Sequence, residues 1–490
     1  YEMNIAFKRL QEEIVDTKEE GFQKDGTFFQ HGKQVQNVSY GKAVIRIAKI
    51  LHCIRDSGYE LPDEKLQILS DYILRGLRAS TFKGYINYTT ISRAYDRANY
   101  LDSQTNTDSS LDDLKYLQDV NRFPGKEDIL NYFNELVLKY PGNASSKHRL
   151  GQINSNALEH SKQKLLEELK LDNNIYEVLL TSGATESNNL FIKGVAYQYK
   201  NRGKKIISSK VEHPSVLQVL NQLKEEGFDV VLLDVDENGL VPFESLKKEI
   251  NNETILVTLM KINNEIGSDL KEKDISNLVK QFPKCFFYSD VTQGVGKVEC
   301  DYSLFDGFGF SFHKLGSLFN AGCLIKKRKI ILKNLLNGGS QQNGIRPGTI
   351  ATPNYILGLN ICCFRLKEQN KNFNTVKNLN CYLRNKLISN EEILINSNEK
   401  NCSPYILNFS LKTKKASVVI EALSNLETYV SSTSSCHKKD NSVSYVLDNV
   451  FKDFKRASNS IRVSFNSKNT TQEIDIFVEQ LNQILRNIKS

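Results

Sequence analysis

The chain has 490 residues, of which 40% are hydrophobic and 25% are charged, a composition typical of a folded globular protein with about three domains or subdomains. Its net charge of +8 comes from 65 basic and 57 acidic residues spread along the sequence, which argues against the dense basic patch of a nucleic-acid-binding protein. No run of about 18 apolar residues occurs, which excludes a membrane-spanning helix. The nine cysteines form no Cys-x-x-Cys pair, so we expect buried thiols in a reducing compartment and neither a metal site nor a disulfide framework.

The first part of the chain, residues 1–97, has a helical pattern. Apolar residues recur every three or four positions in Ile5–Ile14, Ala43–Ser57 and Asp63–Leu77. The stretch Lys24–Tyr40 is rich in Gly, Gln and Asn, which predicts a loop. The sequence therefore predicts an extra N-terminal all-α segment.

From about Asn99 the pattern changes to short apolar runs, each followed by a turn and an amphipathic helix. Buried strands that alternate with helices predict an α/β fold with a mostly parallel, doubly wound sheet. The predicted strands are Glu177–Leu180, Lys205–Ser208, Val230–Asp234, Ile255–Leu259, Phe286–Ser289 and Gly322–Ile325, and the helices between them include Asn188–Tyr199, Pro214–Glu226 and Pro242–Ile250.

The C-terminal part, from about Gly338, returns to long helices and adds a few short strands. Ile406–Leu411 and Ile461–Phe465 are the predicted strands, and Thr471–Ile488 is a terminal amphipathic helix. This pattern predicts a small C-terminal α+β domain. We therefore expect three domains, at residues 1–97, 98–350 and 351–490.

Two of the predicted strand ends carry residues suited to binding a phosphate and an aromatic ring. Ligands of open α/β sheets bind at the carboxyl ends of the strands. After the first strand, Thr181–Glu186 places small residues at a helix N-terminus, where the N–H of Ala184 and the hydroxyl of Thr185 can bind a phosphate; a simple helix cap is the alternative. After the second, His213 can stack on a ring and move protons, or it can be a structural residue before a helix.

Three later loops complete this group of candidate residues. The turn Asn263–Gly267 offers amides to a ligand. Asp290 can bind a cationic ring nitrogen, and Gln293 can bond a ring hydroxyl. Lys314, although a lysine after a strand is usually solvated, is flanked by Ser311 and His313. A lysine for a Schiff base, an acid for a ring nitrogen and a phosphate site are what pyridoxal phosphate requires, so we predict this cofactor.

Together with further segments of the chain, these loops resemble the NifS/IscS type of cysteine desulfurase in the class V aminotransferase family. The segments occur in the same order as in that family. The resemblance covers residues from about Asn99 to Ser490. It implies the pyridoxal-phosphate fold-type I architecture, with a large cofactor-binding domain and a small C-terminal domain. The matching segments are Tyr100–Gln104, Gly142–Ser146, Ser182–Asn189, Glu212–Pro214, Asn263–Gly267, Ser289–Lys297, Ser311–Lys314, Gly338–Thr349, Ser431–Cys436 and Ile461–Phe465.

The resemblance also implies a role for each matched residue. Lys314 would form the Schiff base and take the substrate α-proton, and His213 would stack on the ring and assist proton transfer. Asp290 would pair with the ring nitrogen, and Gln293 would bond the ring hydroxyl. The other implied cofactor contacts come from Ala184, Thr185, Asn264, Ser311, His313 and, from the second subunit of a homodimer, Thr349. Asn264 and Arg462 would bind the substrate carboxylate.

The polar stretch Val430–Lys439 contains one thiol, that of Cys436. His437, Lys438 and Lys439 follow it and favour the thiolate, whereas we expect the other cysteines to be buried. In the resembled family, this cysteine attacks the sulfur of the bound L-cysteine, releases L-alanine and carries the sulfur as a persulfide to an acceptor protein. The acceptor would be an iron–sulfur scaffold or a tRNA-thiolation enzyme.

Three alternative functions stay open. An aminotransferase or a selenocysteine lyase would use the same cofactor, but a transaminase has no use for the Cys436 thiol. An enzyme of a different class would depend on residues 1–97 alone. A scaffold that binds sulfur acceptors would need no chemistry.

Three segments of the N-terminal part, Asp25–Gly32, Ser39–Gly41 and Ile91–Arg97, carry a second resemblance. Through them, residues 1–97 resemble a stretch of the chondroitin AC/hyaluronate lyase family of polysaccharide lyases, whose catalytic domain is an incomplete α/α toroid. Within them, the family's catalytic positions correspond to His31, Tyr40, Arg93 and Arg97. A toroid needs many more helices than this stretch supplies, so we expect a truncated remnant, joined to the desulfurase as a gene fusion or as an assembly artefact.

The resemblance to a cysteine desulfurase also implies partners and a cellular compartment. We expect L-cysteine as substrate, a sulfur-acceptor protein as partner, a homodimer, and no contact with membranes or directly with nucleic acid. The expected compartment is the cytoplasm. Because the chain begins with Tyr1 rather than Met, we expect that an upstream segment is missing, and an organelle stays an alternative.

Overall fold

The structure, a computed structural model, describes residues 126–432 and 443–487 together with three short strands near the N-terminus. The chain divides into two compact units, Tyr1–Asp112 and Asp113–Ser490. In the first unit, strands β1 (Gly21–Phe22), β2 (Phe28–Gln30) and β3 (Lys33–Val35) form an antiparallel sheet.

These three strands correct the sequence prediction for the first unit. Strands β2 and β3 lie in the stretch expected to be a loop, so the segment is not all-α at these positions. Strands of two or three residues are too short to show an alternating pattern in the sequence. The three predicted helices of residues 1–97 lie outside the described residues, so the partial-toroid architecture stays a prediction.

In the described part of the second unit, two helices come first and strands then alternate with helices. The helices are α1 (Lys126–Lys139), α2 (Arg149–Glu168), α3 (Ala184–Tyr199), α4 (Pro214–Glu225), α5 (Phe243–Glu249) and α6 (Glu272–Val279). The strands are β4 (Tyr176–Thr181), β5 (Lys205–Ser209), β6 (Asp229–Leu233), β7 (Thr254–Thr258), β8 (Phe286–Asp290), β9 (Gly307–Ser311) and β10 (Gly322–Lys327).

The seven strands β4 to β10 form one sheet in the order β4-β10-β9-β8-β7-β5-β6. Strand β10 runs antiparallel to both of its neighbours, and the other pairs are parallel. The prediction of a mostly parallel, doubly wound α/β sheet is confirmed.

Helices cover both faces of this sheet, which explains why its strands appear as continuous apolar runs. Successive residues of a strand point to opposite faces. Ile206 and Leu256 belong to one hydrophobic cluster, and the next residues, Ile207 and Val257, belong to the other. All four side chains are fully buried, so both positions of each pair must be apolar.

Strand β9 is the strand expected before Lys314, but its limits were not predicted because glycines interrupt its apolar pattern. The structure shows why the glycines are there. A Cβ atom at Gly307 would lie 2.3 Å from the Phe191 ring, and one at Gly309 would lie 2.6 Å from the Cβ of Ser187. Helix α3, which carries both contacts, therefore packs directly on the β9 backbone.

The C-terminal part of this unit contains a second, antiparallel sheet in the order β11-β12-β14-β13. Its core is a separate cluster that includes Leu407, Phe409 and Leu481. The strands are β11 (Ile393–Ile395), β12 (Ile406–Leu411), β13 (Ser431–Ser432) and β14 (Ser460–Ser464), and the helices are α7 (Thr352–Lys367), α8 (Gln369–Ile388), α9 (Ala416–Asn425), α10 (Tyr445–Phe451), α11 (Phe454–Ser458) and α12 (Thr471–Asn487).

This arrangement is the small α+β part expected from the sequence. The exact domain limits at residues 97 and 350 stay predictions. Within the described part of the chain, no helix combines the length and the apolar character that crossing a membrane requires.

Candidate functional site

The loops that carry the predicted site residues meet at one edge of the large sheet. Strands β5, β7, β8 and β9 are parallel, and β4 has the same direction because both β4 and β9 run antiparallel to β10. Their carboxyl ends therefore share an edge, which is where open α/β sheets bind ligands.

The N-terminus of helix α3 lies against the end of strand β9. The N–H of Ala184 donates to the Oγ of Ser311 over 2.7 Å. Gly183 adopts φ +156° and ψ −177°, a conformation open essentially only to glycine. A Cβ atom there would lie 3.1 Å from the Ser311 hydroxyl. Thr185, the second residue of the helix, is exposed, so its hydroxyl and the N–H groups at the helix N-terminus can bind an anion.

An ion pair that the sequence analysis missed supports this helix end. Glu186 accepts hydrogen bonds from Arg346 Nε over 2.8 Å and from the N–H of Ser182 over 2.6 Å. Burial alone would raise the pKa of Glu186, but these hydrogen bonds and the guanidinium charge lower it below its usual value. The contact ties segment 338–349 to the helix. Thr349, in the same segment, is exposed.

A chain of hydrogen bonds connects the candidate acid with the candidate imidazole. Asn188 Nδ2 donates to Asp290 Oδ2 and to Ser215 Oγ, each over 2.8 Å. The Ser215 hydroxyl lies 2.8 Å from Nδ1 of His213, and the Tyr288 hydroxyl donates to Asn188 Oδ1 over 2.7 Å. Neither Asn188 nor Ser215 was a predicted site residue; Asn188 lies in a matched segment, but no local pattern assigns it a role.

The surroundings of His213 favour a neutral imidazole. Its Nδ1 also accepts a hydrogen bond from the N–H of Ser215 at the start of helix α4, so the ring proton belongs on Nε2. Burial lowers the pKa of His213, the charge of Asp290 opposes this, and the charge of Lys314 lowers it again. A neutral ring that is held at one nitrogen can stack on an aromatic group and exchange a proton at the other.

Lys314 lies on the short 3-10 turn Phe312–Leu315 that follows strand β9, and its side chain is exposed. Burial lowers the pKa values of His213, His313 and Lys297, and the charge of Lys314 lowers them further, so Lys314 lies close to these residues. The turn ends at Gly316, whose φ of +93° is left-handed. The backbone oxygen of the adjacent Leu315 accepts a hydrogen bond from Arg365 Nε over 2.7 Å.

The two predicted carboxylate-binding residues also come together. Arg462 Nη1 donates to the backbone oxygen of Asn264 over 2.8 Å, across 198 positions of sequence. The buried side-chain oxygen of Asn264 has no hydrogen-bond partner in the described part of the chain. Next to it, Glu265 is buried and its pKa is raised to about 7 by burial.

Cys436 lies outside the described residues, as do His31, Tyr40, Arg93 and Arg97. The structure does describe both ends of the stretch that holds Cys436. Ser431, before it, is paired with Arg462 in the small sheet. Ser444, after it, donates from its hydroxyl to Glu265 over 2.5 Å. Both ends therefore lie beside the candidate carboxylate-binding residues.

The residues at this edge fit pyridoxal phosphate. Asp290 is buried, and its oxygens accept from Asn188 and from the N–H of Thr292. No lysine or arginine of the described ranges forms a salt bridge with it, so it can take the positive charge of a ring nitrogen. Several cations suited to anionic groups lie nearby: Lys297, Lys314, Arg365 and Arg462. Within residues 126–432 and 443–487, no group of three or more His, Cys, Asp and Glu side chains could hold a metal ion.

Two family models match the chain. Aminotransferase class-V matches residues 125–477, starting later than the position near Asn99 expected from the sequence. Polysaccharide lyase family 8, N terminal alpha-helical domain, matches residues 2–128. The first model covers most of the chain, and the second covers the segment for which the sequence analysis noted a lyase resemblance.

Similar proteins were found among both sequences and solved structures. The cysteine desulfurase IscS of Buchnera aphidicola subsp. Baizongia pistaciae is 33% identical over 373 residues, which is 75% of this chain and 91% of that protein. A mitochondrial cysteine desulfurase of Eremothecium gossypii is 33% identical over 344 residues, 69% of each chain.

Among solved structures, a NifS-like protein has a TM-score of 0.69 at 26% identity, covering 75% of this chain and 97% of its own. SspA in complex with cysteine has a TM-score of 0.61 at 25% identity, covering 71% and 97%.

Proposed function

The chain belongs to the class V aminotransferase family, and we propose that it is a pyridoxal-phosphate-dependent cysteine desulfurase that converts L-cysteine to L-alanine. The observation that carries the proposal is the hydrogen-bonded chain from Asp290 through Asn188 and Ser215 to His213. It holds an acid and a neutral imidazole at the strand edge where Lys314 is located.

Each side of the site would hold a different part of the cofactor. The helix end at Ala184 and Thr185, with Ser311 and His313, would bind the phosphate. Asp290 would keep the proton on the ring nitrogen, Gln293 would bond the ring hydroxyl, and the neutral His213 would stack on the ring. When bound, pyridoxal phosphate supplies an electron-withdrawing ring that stabilises negative charge on the substrate's α-carbon.

The residues of this chain would orient the substrate and move its protons. Arg462 and Asn264 would bind the substrate carboxylate, since a guanidinium group matches that planar anion. Lys314, at the strand edge beside His213, would take the proton from the α-carbon and later return one. His213 would exchange a proton at Nε2 while Ser215 holds Nδ1.

Cys436 would receive the sulfur. Its thiolate attacks the substrate sulfur, an S–S bond forms, and the bond between sulfur and the β-carbon breaks with its electron pair on carbon. A proton then completes the methyl group of L-alanine, and the enzyme keeps a persulfide. The carbon is reduced as the sulfur is oxidised, so the step needs no external oxidant or reductant. The electrostatic setting of His437, Lys438 and Lys439 supports a thiolate.

The partners follow from this chemistry. The persulfide sulfur would pass to an acceptor protein such as an iron–sulfur scaffold or a tRNA-thiolation enzyme. The exposed Thr349 would reach the phosphate site of the other subunit in a homodimer.

We propose the cytoplasm as the compartment, with an organelle as the alternative suggested by the similarity to a mitochondrial desulfurase.

The decisive experiment is a product assay on the full chain. Purified protein would be incubated with pyridoxal phosphate and L-cysteine, with alanine and protein-bound persulfide measured together. We expect alanine and persulfide in equal first-turnover amounts. Formation of a keto acid with no persulfide would identify an aminotransferase instead. Turnover of selenocysteine alone would identify a selenocysteine lyase.

A further inference from the structure

The turn that follows strand β8 carries a lysine for which the proposed function has no role. Backbone hydrogen bonds from Gly294 N–H to the Val291 oxygen and from Lys297 N–H to the Gly294 oxygen wind residues 291–298 into consecutive turns. These turns bring the side chains of Gln293 and Lys297, four residues apart, onto the same side. The Nζ atom of Lys297 lies 3.0 Å from Oε1 of Gln293.

This contact determines the orientation of the Gln293 carboxamide. The Gln293 oxygen faces Lys297, which is the arrangement that the protonated amine requires, because an ammonium group has three donors and no acceptor. The NH₂ group is thereby directed away from Lys297. Within the described part of the chain, this NH₂ group donates no hydrogen bond to another residue.

Close packing holds the turn in place. A Cβ atom at Gly294 would lie 3.1 Å from Lys261 Cγ, and one at Gly296, where φ is +64°, would lie 2.8 Å from Arg365 Cβ. The backbone between Gln293 and Lys297 therefore has little room to shift, and their contact is built into the fold.

The electrostatic setting of Lys297 is unfavourable for a lysine that only stabilises the fold. Burial and the positive charges of Lys314, Arg365 and Arg462 lower the pKa of Lys297 to about 7. No carboxylate among residues 126–432 and 443–487 forms a salt bridge with it. The charged form of such a lysine is favoured by a nearby acceptor, and the Gln293 oxygen at 3.0 Å is one.

We propose that Lys297 is a positioning residue that holds the Gln293 carboxamide with its NH₂ group toward the ring hydroxyl of pyridoxal phosphate. The inference rests on the proposed function, because it requires that cofactor in the site. An amide held in this way can only donate to the ring oxygen, and donation favours the ionised form of that oxygen. The effect is measurable without turnover, in the pH midpoint of the visible absorbance change of the bound cofactor.

The test compares Lys297→Met, Lys297→Arg and Gln293→Leu, singly and as the Lys297→Met/Gln293→Leu double variant. Lys297→Met should weaken pyridoxal phosphate binding by about tenfold, as expected for one hydrogen bond to a charged group, and should move the absorbance midpoint to higher pH. Lys297→Arg, which keeps a cationic donor, should restore much of both. In the Gln293→Leu background, Lys297→Met should add little.

An equal effect of Lys297→Met with and without Gln293 would mean that Lys297 acts through its charge alone, and would overturn the proposal. Unchanged affinity and midpoint in Lys297→Met would also overturn it. The exposed Lys284→Met is the matched control.

A further variant covers the case in which Lys297→Met does not fold, which thermal unfolding of the cofactor-free protein would reveal. Gln293→Glu keeps an oxygen toward Lys297 but replaces the NH₂ group by a second oxygen. It should weaken cofactor binding and shift the midpoint, and normal values for both would overturn the proposal. If the unaltered chain binds no pyridoxal phosphate, the proposed function itself fails, before any variant is compared.

Discussion

The Nδ2 atom of Asn188 lies 2.8 Å from Oδ2 of Asp290, although 102 positions separate the two residues in the chain. Asn188 belongs to helix α3, and Asp290 ends strand β8. The contact therefore exists only because α3 packs against the carboxyl edge of the sheet. Together with the N–H of Thr292, which bonds the other carboxylate oxygen, it determines how Asp290 faces the site.

We expect Asn188→Ala to disturb both the fold and the cofactor site. The substitution leaves Asp290 without a side-chain donor and buried Tyr288 without its acceptor, so the free energy of unfolding should fall by about 1–3 kcal/mol. Pyridoxal phosphate should bind more weakly because the Asp290 carboxylate loses its orientation. Urea unfolding and cofactor titration would measure the two effects. Asn189→Ala, which removes only an exposed hydrogen bond to the Thr185 oxygen, should change neither.

We expect Lys314→Ala to abolish the visible absorbance of the bound cofactor. Only a lysine amine can form the Schiff base that produces this band, and in the turn after strand β9 that amine is Lys314. A borohydride-reducible cofactor bond that persisted in the variant would show that another lysine has this role. Lys329→Ala, an exposed lysine after strand β10, should keep the band.

We expect Cys436→Ser to separate cofactor binding from sulfur transfer. A serine hydroxyl stays protonated where a thiol forms a thiolate, so the variant should bind cofactor and cysteine but form no protein persulfide and release little alanine. Cys381→Ser, at a partly exposed cysteine of helix α8, should turn over normally. Alanine production by Cys436→Ser at the parental rate would remove Cys436 from the mechanism.

The pKa of Glu212 predicts a specific pH dependence of stability. Burial raises this pKa to about 8 in the folded protein, whereas an unfolded glutamate ionises near its ordinary value of 4.5. The folded state therefore holds a proton that the unfolded state has released, and the free energy of unfolding falls as the pH rises between these values. Above pH 8, this loss is complete.

Glu212→Gln should remove this contribution. Relative to the unaltered protein, the variant should gain stability steadily from about pH 5 to pH 8, as measured by urea unfolding at several pH values. Glu244→Gln, at an exposed position of helix α5, should show no such trend. A difference between Glu212→Gln and the unaltered protein that stayed constant with pH would mean that Glu212 is ionised in the folded state.

We expect a chain without residues 1–112 to keep desulfurase activity. Every residue proposed to bind cofactor or substrate, and Cys436 as well, lies in the unit Asp113–Ser490. Alanine formation by the shortened chain, measured with saturating pyridoxal phosphate, should match that of the full chain. If a folded truncated protein neither bound cofactor nor formed alanine, the N-terminal segment would have a role in the enzyme.

Local sequence patterns predicted most elements of the second unit. The limits of strand β12, Ile406–Leu411, agree with the prediction, and helix α12 begins at the predicted Thr471. Other limits differ by a few residues, since helix α3 starts at Ala184 instead of Asn188. These predictions succeed because an apolar run or a helical repeat depends only on which neighbours in sequence must be buried together. A strand before Lys314 was expected, but the limits of strand β9 were not predicted, because contacts with helix α3, which are not local, require its glycines.

The order of the candidate residues in the large domain was also readable from sequence, because most of them lie at or just after the end of a strand and strand ends of one direction share an edge. The structure alone decided which of them touch. Ala184 meets Ser311 across 127 positions because of the strand order in the large sheet. Asn264 meets Arg462 across 198 positions because the small sheet, which contains Arg462, packs beside the Asn263–Gly267 turn. The sequence by itself thus determined the elements and the chemical types at their ends. Partners such as Asn188, which bonds Asp290 across 102 positions, followed only from tertiary packing, because local periodicity carries no information about which distant strands become neighbours.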